Sequence, residues 1–114
     1  LLKSPFLNTE YIGFNLNPKF KSEASSNLYF RRALNFAIDR EKLIGFLRNG
    51  VGIPAYYGFT PVGLPHYQYA NIQKTLFDLD SALYYLKASK IDVKTMKPLE
   101  LNTTQDYLEL MVFV

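Results

Sequence analysis

The chain has 114 residues, room for one compact core and not for two full domains. Hydrophobic residues make up 48% and charged residues 20%, which excludes the disordered, collagen-like and acidic-tail classes. Nine Tyr and nine Phe without Trp promise a ring-rich core. The net charge of +3 is mild, +4 as far as Tyr57 and −1 beyond it. The basic residues Lys19, Lys21, Arg31, Arg32, Arg40, Lys42 and Arg48 are interleaved with acids and Phe instead of forming a stripe, so nucleic acid is not an expected partner. Absence of Cys excludes disulfides, thiolate metal sites, a Cys nucleophile and thiol redox chemistry. The longest apolar runs, such as Leu110-Met111-Val112-Phe113-Val114, are far shorter than the roughly 20 residues that span a bilayer.

Taken in chain order, Tyr11-Ile12-Gly13-Phe14-Asn15-Leu16-Asn17 alternates, with Ile12, Phe14 and Leu16 on one face and Tyr11, Gly13, Asn15 and Asn17 on the other. This pattern predicts a strand with one buried face, closed by Pro18, and a loop from Lys19 to Ser26. Ser26 or Asn27 is then placed to cap a helix whose stripe is Phe30, Ala33, Leu34, Ala37 and Ile38. Asp39 is placed to cap a second helix buried through Leu43, Ile44 and Leu47, which Asn49-Gly50 stops by supplying a left-handed residue. Residues 51–69, with three Gly and three Pro, read as an extended connection carrying Tyr56, Tyr57, Phe59 and Tyr67. Asp78 or Asp80 starts a third helix with the stripe Leu79, Ala82, Leu83 and Leu86, ending near Ser89-Lys90. Leu99 to Thr103 alternates as a second strand, and Thr103 to Asp106 has capping-box spacing before a last helix from Gln105. These elements add up to an α/β domain, a short mixed sheet with flanking helices. Its expected interior is Ile12, Phe14, Leu16, Phe30, Ala33, Leu34, Ala37, Leu43, Ile44, Leu83, Leu86 and Leu101.

Catalytic chemistry finds little to stand on. With one His and no Cys, a metal would have carboxylates only, and no acids have EF-hand or HExxH spacing, so no metal or cofactor is expected. His66, in Leu64-Pro65-His66-Tyr67, reads as a loop histidine, and no Ser lies in a GxSxG elbow. Asp39 and Glu41 are explained better by capping than by paired acid–base work. Gly50-Val51-Gly52 follows a helix instead of preceding one and lacks the residues of a phosphate loop. The expectation is a protein that is not an enzyme.

The order of segments says more. Tyr11-Ile12-Gly13-Phe14-Asn15, then Phe30 through Ile44, then Gly50 through Ala55, then Pro61-Val62-Gly63-Leu64-Pro65 resembles family 5 of the solute-binding proteins of ABC transporters, the extracytoplasmic oligopeptide-, dipeptide- and nickel-binding type. The most specific stretch is Arg32-Ala33-Leu34-Asn35-Phe36-Ala37-Ile38-Asp39-Arg40, and Phe77-Asp78-Leu79-Asp80-Ser81-Ala82 is similar to the start of the family's next helix. Two loops depart from the pattern. Ser89-Lys90-Ile91 stands where the family usually has Gly, and Pro65-His66-Tyr67 where Gly commonly precedes the Tyr.

The resemblance implies part of a periplasmic-binding-protein-like receptor (type II, the cluster with an extra domain), in which residues 1–114 would form the first part of the second ligand-binding lobe. Such a receptor captures a solute, an oligopeptide or dipeptide foremost, and delivers it to a membrane permease from the periplasm or, as a lipoprotein, from the cell surface. The Tyr11, Asn15 and Asn17 face would then contribute aromatic area and amide groups to the solute; the plainer reading is that these residues hold loops or pack on a neighbouring lobe. Arg31, Arg32, Asp39 and Arg40 are assigned to structure. Similar lobes also occur as sensors in transcription regulators, and a self-contained binding module is the other alternative. The start at Leu1-Leu2 without Met and the end inside an apolar run suggest a piece cut from a longer chain, whose export signal or lipid anchor would lie upstream. The exposed cut is expected to drive association into a two-fold dimer through the second strand or the last helix, while the intact receptor would be monomeric.

Overall fold

Helices account for all regular structure among the described residues, which in this computed structural model are 7–113, excluding the side chains of Leu110, Met111 and Phe113. Leu1, Leu2 and Val114, on which the expectation of a cut chain drew, lie outside them. In chain order come α1 (Glu23–Ser26), α2 (Leu28–Ala37), α3 (Arg40–Leu47), a 3-10 turn at Tyr69–Asn71, α4 (Leu79–Ser89), a 3-10 turn at Gln105–Tyr107 and α5 (Leu108–Phe113).

The expected α/β class is therefore wrong for the described chain. Neither 11–17 nor 99–103 pairs with another segment, and a strand exists only through a ladder with a partner. The first segment is also diverted locally: the Asn15 side chain accepts the Asn17 backbone N–H at 3.0 Å, and the Asn17 side chain accepts that of Lys19 at 2.9 Å. Such side-chain-to-backbone bonds take donors a ladder would need. Phe14 alone of the three inward residues is half-buried, while Ile12 and Leu16 are exposed, as is Leu101 in the second segment.

The core is the antiparallel pair α2 and α4, fastened at both ends. At one end Asn27 caps α2, its Oδ1 accepting the N–H groups of Tyr29 (3.0 Å) and Phe30 (3.1 Å), while its Nδ2 donates to the Ser89 carbonyl at the end of α4 (3.0 Å). At the other end the Asp78 N–H donates to the Phe36 carbonyl at 3.0 Å. Phe30, Ala33 and Ala82 are buried between the helices, and Leu34 and Leu86 are half-buried. Ala37 and Leu83, expected inside, are exposed, lining with Leu79 and Val93 an open apolar groove along the pair. Along another side, Tyr85 stacks between Tyr29 and Phe36 at centroid distances of 6.3 and 5.6 Å, with the Arg32 guanidinium 5.6 Å from its ring centre. The ring-rich interior is thus partly a ring-rich surface.

The most specific sequence stretch codes the turn from α2 to α3. Ile38 ends α2 in extended geometry, and Asp39 caps α3 by accepting the Lys42 N–H at 3.0 Å. Arg40 reaches back to the Asn35 carbonyl (3.2 Å) and bonds the Asn35 side chain, satisfying polar groups in the last turn of α2. Arg31 donates to the Ser25 carbonyl at 2.8 Å. All four of Arg31, Arg32, Asp39 and Arg40 have structural work, as their assignment required. α3 ends where Asn49 and Gly50 both take positive φ, +50° and +73°, so the left-handed turn is shared and not supplied by Gly50 alone.

Two expectations at helix starts fail. Thr104 precedes the 3-10 turn at 105 without any side-chain capping bond, so the Thr103–Asp106 box does not form. A true box forms instead at α1, inside the expected loop, where the Ser22 side chain accepts the Ser25 N–H and the Ser25 hydroxyl accepts the Ser22 N–H. The whole chain leaves 9521 Å² accessible to solvent, against roughly 6400 Å² for a compact monomer of its mass. Only Ala24, Phe30, Ala33 and Ala82 are buried apolar residues among the described ones.

Candidate functional site

The three residues proposed from sequence fall on one exposed stretch, and local turns dictate what each offers. Asn15 and Asn17 each accept a backbone N–H through Oδ1, and an N–H can donate only to the oxygen, so the amide orientation is determined. Each Nδ2 group makes no hydrogen bond among the described residues and is left as a donor. Asn17 is tied further, its carbonyl accepting the N–H groups of Phe20 and Lys21, both at 2.9 Å. Tyr11 is 69% exposed. Its ring meets Phe59 edge-to-face, centroids 4.9 Å apart and planes at 73°.

Phe59 arrives from the 51–69 connection and is 64% exposed, so the stretch carries an aromatic step of two rings at Tyr11 and two amide donors further along the chain. The connection is braced by its own rings: Tyr69 packs on Tyr57 and Tyr67, and its hydroxyl donates to the Pro61 carbonyl (2.6 Å) while accepting the Gly63 N–H (3.1 Å). Sequence reasoning picked Phe59 only as a member of an aromatic loop. Its contact with Tyr11, 48 positions away, had no local signal.

Two charged clusters stand out, one of them joined to the stretch through Glu10. The Tyr56 hydroxyl donates to the Glu41 carboxylate, which pushes the Tyr56 phenol up to about 12, and the Lys74 ammonium sits 4.2 Å from the Tyr56 ring centre. Glu41 is thus engaged, and Asp39 is a cap; the two do not converge as an acid–base pair. The second cluster joins Glu10, Arg48 and Tyr107. One Arg48 nitrogen contacts both Glu10 carboxylate oxygens at 2.7 Å, and the guanidinium lies 5.6 Å from the Tyr107 ring centre. The carboxylate hydrogen bond raises the Arg48 pKa. His66 is exposed in a turn at φ +66°. Among the described residues no three His, Cys, Asp or Glu are grouped to hold a metal, and no helix is long and apolar enough to cross a membrane.

Chemically, such a stretch offers apolar ring faces and neutral donors, groups suited to binding. Comparison with known proteins gives the same class. No curated protein and no solved structure matches, but the profile of the bacterial extracellular solute-binding proteins, family 5 Middle, matches residues 2–111. That family serves ABC transport outside the cytoplasm, at the periplasm or cell surface, and as a class binds solutes without catalysis. Matched over almost its whole length, the chain belongs to family 5 of the bacterial extracellular solute-binding proteins.

Proposed function

We propose that this chain is part of a larger bilobal receptor that captures an oligopeptide or dipeptide and hands it to an ABC-transporter permease, with Tyr11, Asn15 and Asn17 facing the solute. The observation that carries the site is the state of the two asparagines. Their Oδ1 atoms accept the Asn17 and Lys19 N–H groups, which orients both side chains and leaves the Nδ2 donors without a partner among the described residues. Donors fixed in advance cost little ordering entropy on binding and suit the carbonyl oxygens of a peptide backbone. The Tyr11–Phe59 step on the same stretch suits apolar side chains. Membership of a larger body is supported by the accessible surface, which exceeds that of a compact monomer by about half. No catalytic role is assigned, and attachment to the cell surface through a lipid is part of the same proposal.

Calorimetric titration of the full receptor with an equimolar set of di- to pentapeptides tests this reading. Tyr11→Ala and Asn15→Ala should each weaken binding by roughly three- to thirtyfold, the worth of a ring contact or a hydrogen bond. Unchanged affinity in both variants returns these residues to loop-holding; no heat with any peptide removes the peptide as the solute.

A further inference from the structure

The stretch that carries Tyr11, Asn15 and Asn17 has no ladder and no fully buried residue, Phe14 alone being half-buried among 11–17, which raises the question of what holds it in place. Between residues 7 and 17 the described ties to distant parts of the chain are the Tyr11–Phe59 ring contact and the contacts of Glu10. Glu10 immediately precedes Tyr11. Its carboxylate is gripped through both oxygens by Arg48, just past the end of α3, and its Oε1 also accepts a long hydrogen bond of 3.4 Å from the Tyr107 hydroxyl. Arg48 in turn lies over the Tyr107 ring. Three segments separated by 38 and 97 positions therefore meet at one charged junction in which each member touches both others, and the guanidinium makes the two short bonds, both to the carboxylate.

Arg48 is itself well placed. It follows the last turn of α3, where its N–H donates to the Ile44 carbonyl at 3.1 Å and its carbonyl accepts the Val51 N–H at 2.8 Å. The backbone at Arg48 is thus fastened on both sides before the side chain is considered. A planar guanidinium that stacks on a ring while holding a carboxylate does what an ammonium cannot, so Lys at this position would keep the charge and lose the geometry.

We infer that Arg48 is a positioning residue for the solute-facing stretch: through Glu10, with Tyr107 as its backing, it fixes where Tyr11 stands. This rests on the reading of Tyr11 as a solute contact. The side chains of the pair are 40% and 43% exposed, so the grip is open to solvent and its strength is that of a surface pair with good geometry, worth about a two- to fivefold change in a local equilibrium.

The test uses the full receptor and two readouts. Hydrogen exchange of the 11–17 amides, without solute, should rise about two- to fivefold in Arg48→Ala while the amides of α2 and α4 keep their wild-type rates. Affinity for the best-binding member of the peptide set should fall by a similar factor. Arg48→Lys should recover only part of either effect, and the charge swap Glu10→Arg with Arg48→Glu should recover more than either single change. Raising the salt from 50 to 500 mM should move the wild type toward Arg48→Ala and leave that variant unmoved. Unchanged exchange at 11–17 in Arg48→Ala overturns the inference whatever the peptides do. If exchange rises as expected and Tyr11→Ala binds as well as wild type, the positioning stands as a fact of structure and the site reading falls.

Discussion

Asn27 is the residue whose replacement should disturb the core most for the fewest atoms removed. It serves two helices at once: Oδ1 caps α2 through the Tyr29 and Phe30 N–H groups, and Nδ2 satisfies the Ser89 carbonyl at the end of α4. Asn27→Ala removes both functions. Loss of the cap costs about 1 kcal/mol, and loss of the bond to the carbonyl of buried Ser89 costs about 1–2 kcal/mol, since that oxygen is left without its partner. The sum is about 2–3 kcal/mol, or about 30- to 150-fold in a local opening equilibrium. Asn27→Asp separates the two parts. A carboxylate still accepts the α2 N–H groups and is favoured at a helix N-terminus, but it cannot donate to Ser89 and faces that carbonyl with like polarity. The Asp variant should therefore show only the second part, about 1–2 kcal/mol. Native-state hydrogen exchange in the full receptor reads both: Ala should speed exchange in the first turn of α2 and the last turn of α4, Asp in α4 alone. An Asp variant with α4 at wild-type rates would refute the reasoning, because the bond to Ser89 would then contribute nothing to holding the pair together.

Other outcomes follow from caps, charges and backbone signs. Lys90 ends α4 at φ +58° and His66 stands at φ +66°, so Lys90→Gly and His66→Gly should each stabilise by about 0.5–1 kcal/mol, relief of left-handed strain exceeding the entropy of Gly in the unfolded chain; a lower urea midpoint in either variant would contradict this. The Tyr56 phenol, held to about 12 by its hydrogen bond to Glu41, contributes stability present in full below pH 10 and lost as the pH rises from 10 to 12. Carbon-13 titration of its ring should show this and return to the ordinary range in Glu41→Ala. Asp78 is held below its ordinary value by the Ser81 hydroxyl, then by the N–H groups of Ser81 and Asp80, so its cap on α4 is complete above pH 4 and lost as the pH falls through the lowered value. Ser81→Ala should move that loss toward higher pH, read as exchange at the start of α4.

What could be read in advance divides along the reach of each interaction. Helices α2, α3 and α4 were legible to within two residues because their hydrogen bonds, stripes and caps are local: Asn27, Asp39 and Asp78 each stand next to the helix they cap. α1 escaped because four residues carry no stripe and its box closes with Ser in place of the usual Glu or Gln. The positive φ angles at His66 and Lys90 fall where the family commonly places Gly, so both departures marked real backbone demands. Alternation puts Tyr11, Asn15 and Asn17 on one face and the family resemblance makes that face a candidate, but neither points to its company: Phe59 and the Glu10–Arg48–Tyr107 junction depend on contacts 38 to 97 positions apart.

The failure of the strands has the same root and one further cause. A helix satisfies its backbone within its own segment, whereas a strand borrows every bond from another, so alternation at 11–17 states only which side chains share a face. Asn at positions 15 and 17 then competes for the segment's own N–H groups, and the competitor wins when no partner backbone is within reach. The outcome changes what the asparagines are. On a paired strand both ends of each amide would be free to turn outward; in consecutive side-chain turns the oxygen already holds one partner and is fixed in direction, while the nitrogen keeps both its donors. If these residues face the solute as proposed, an acceptor-bearing group is favoured opposite the two nitrogens. Asn15→Asp tests that selectivity directly, since the carboxylate keeps the turn with the Asn17 N–H but has no donor left. In the full receptor it should lose peptide affinity by as much as Asn15→Ala, and an Asp variant that binds like wild type would show that the Nδ2 donor plays no part.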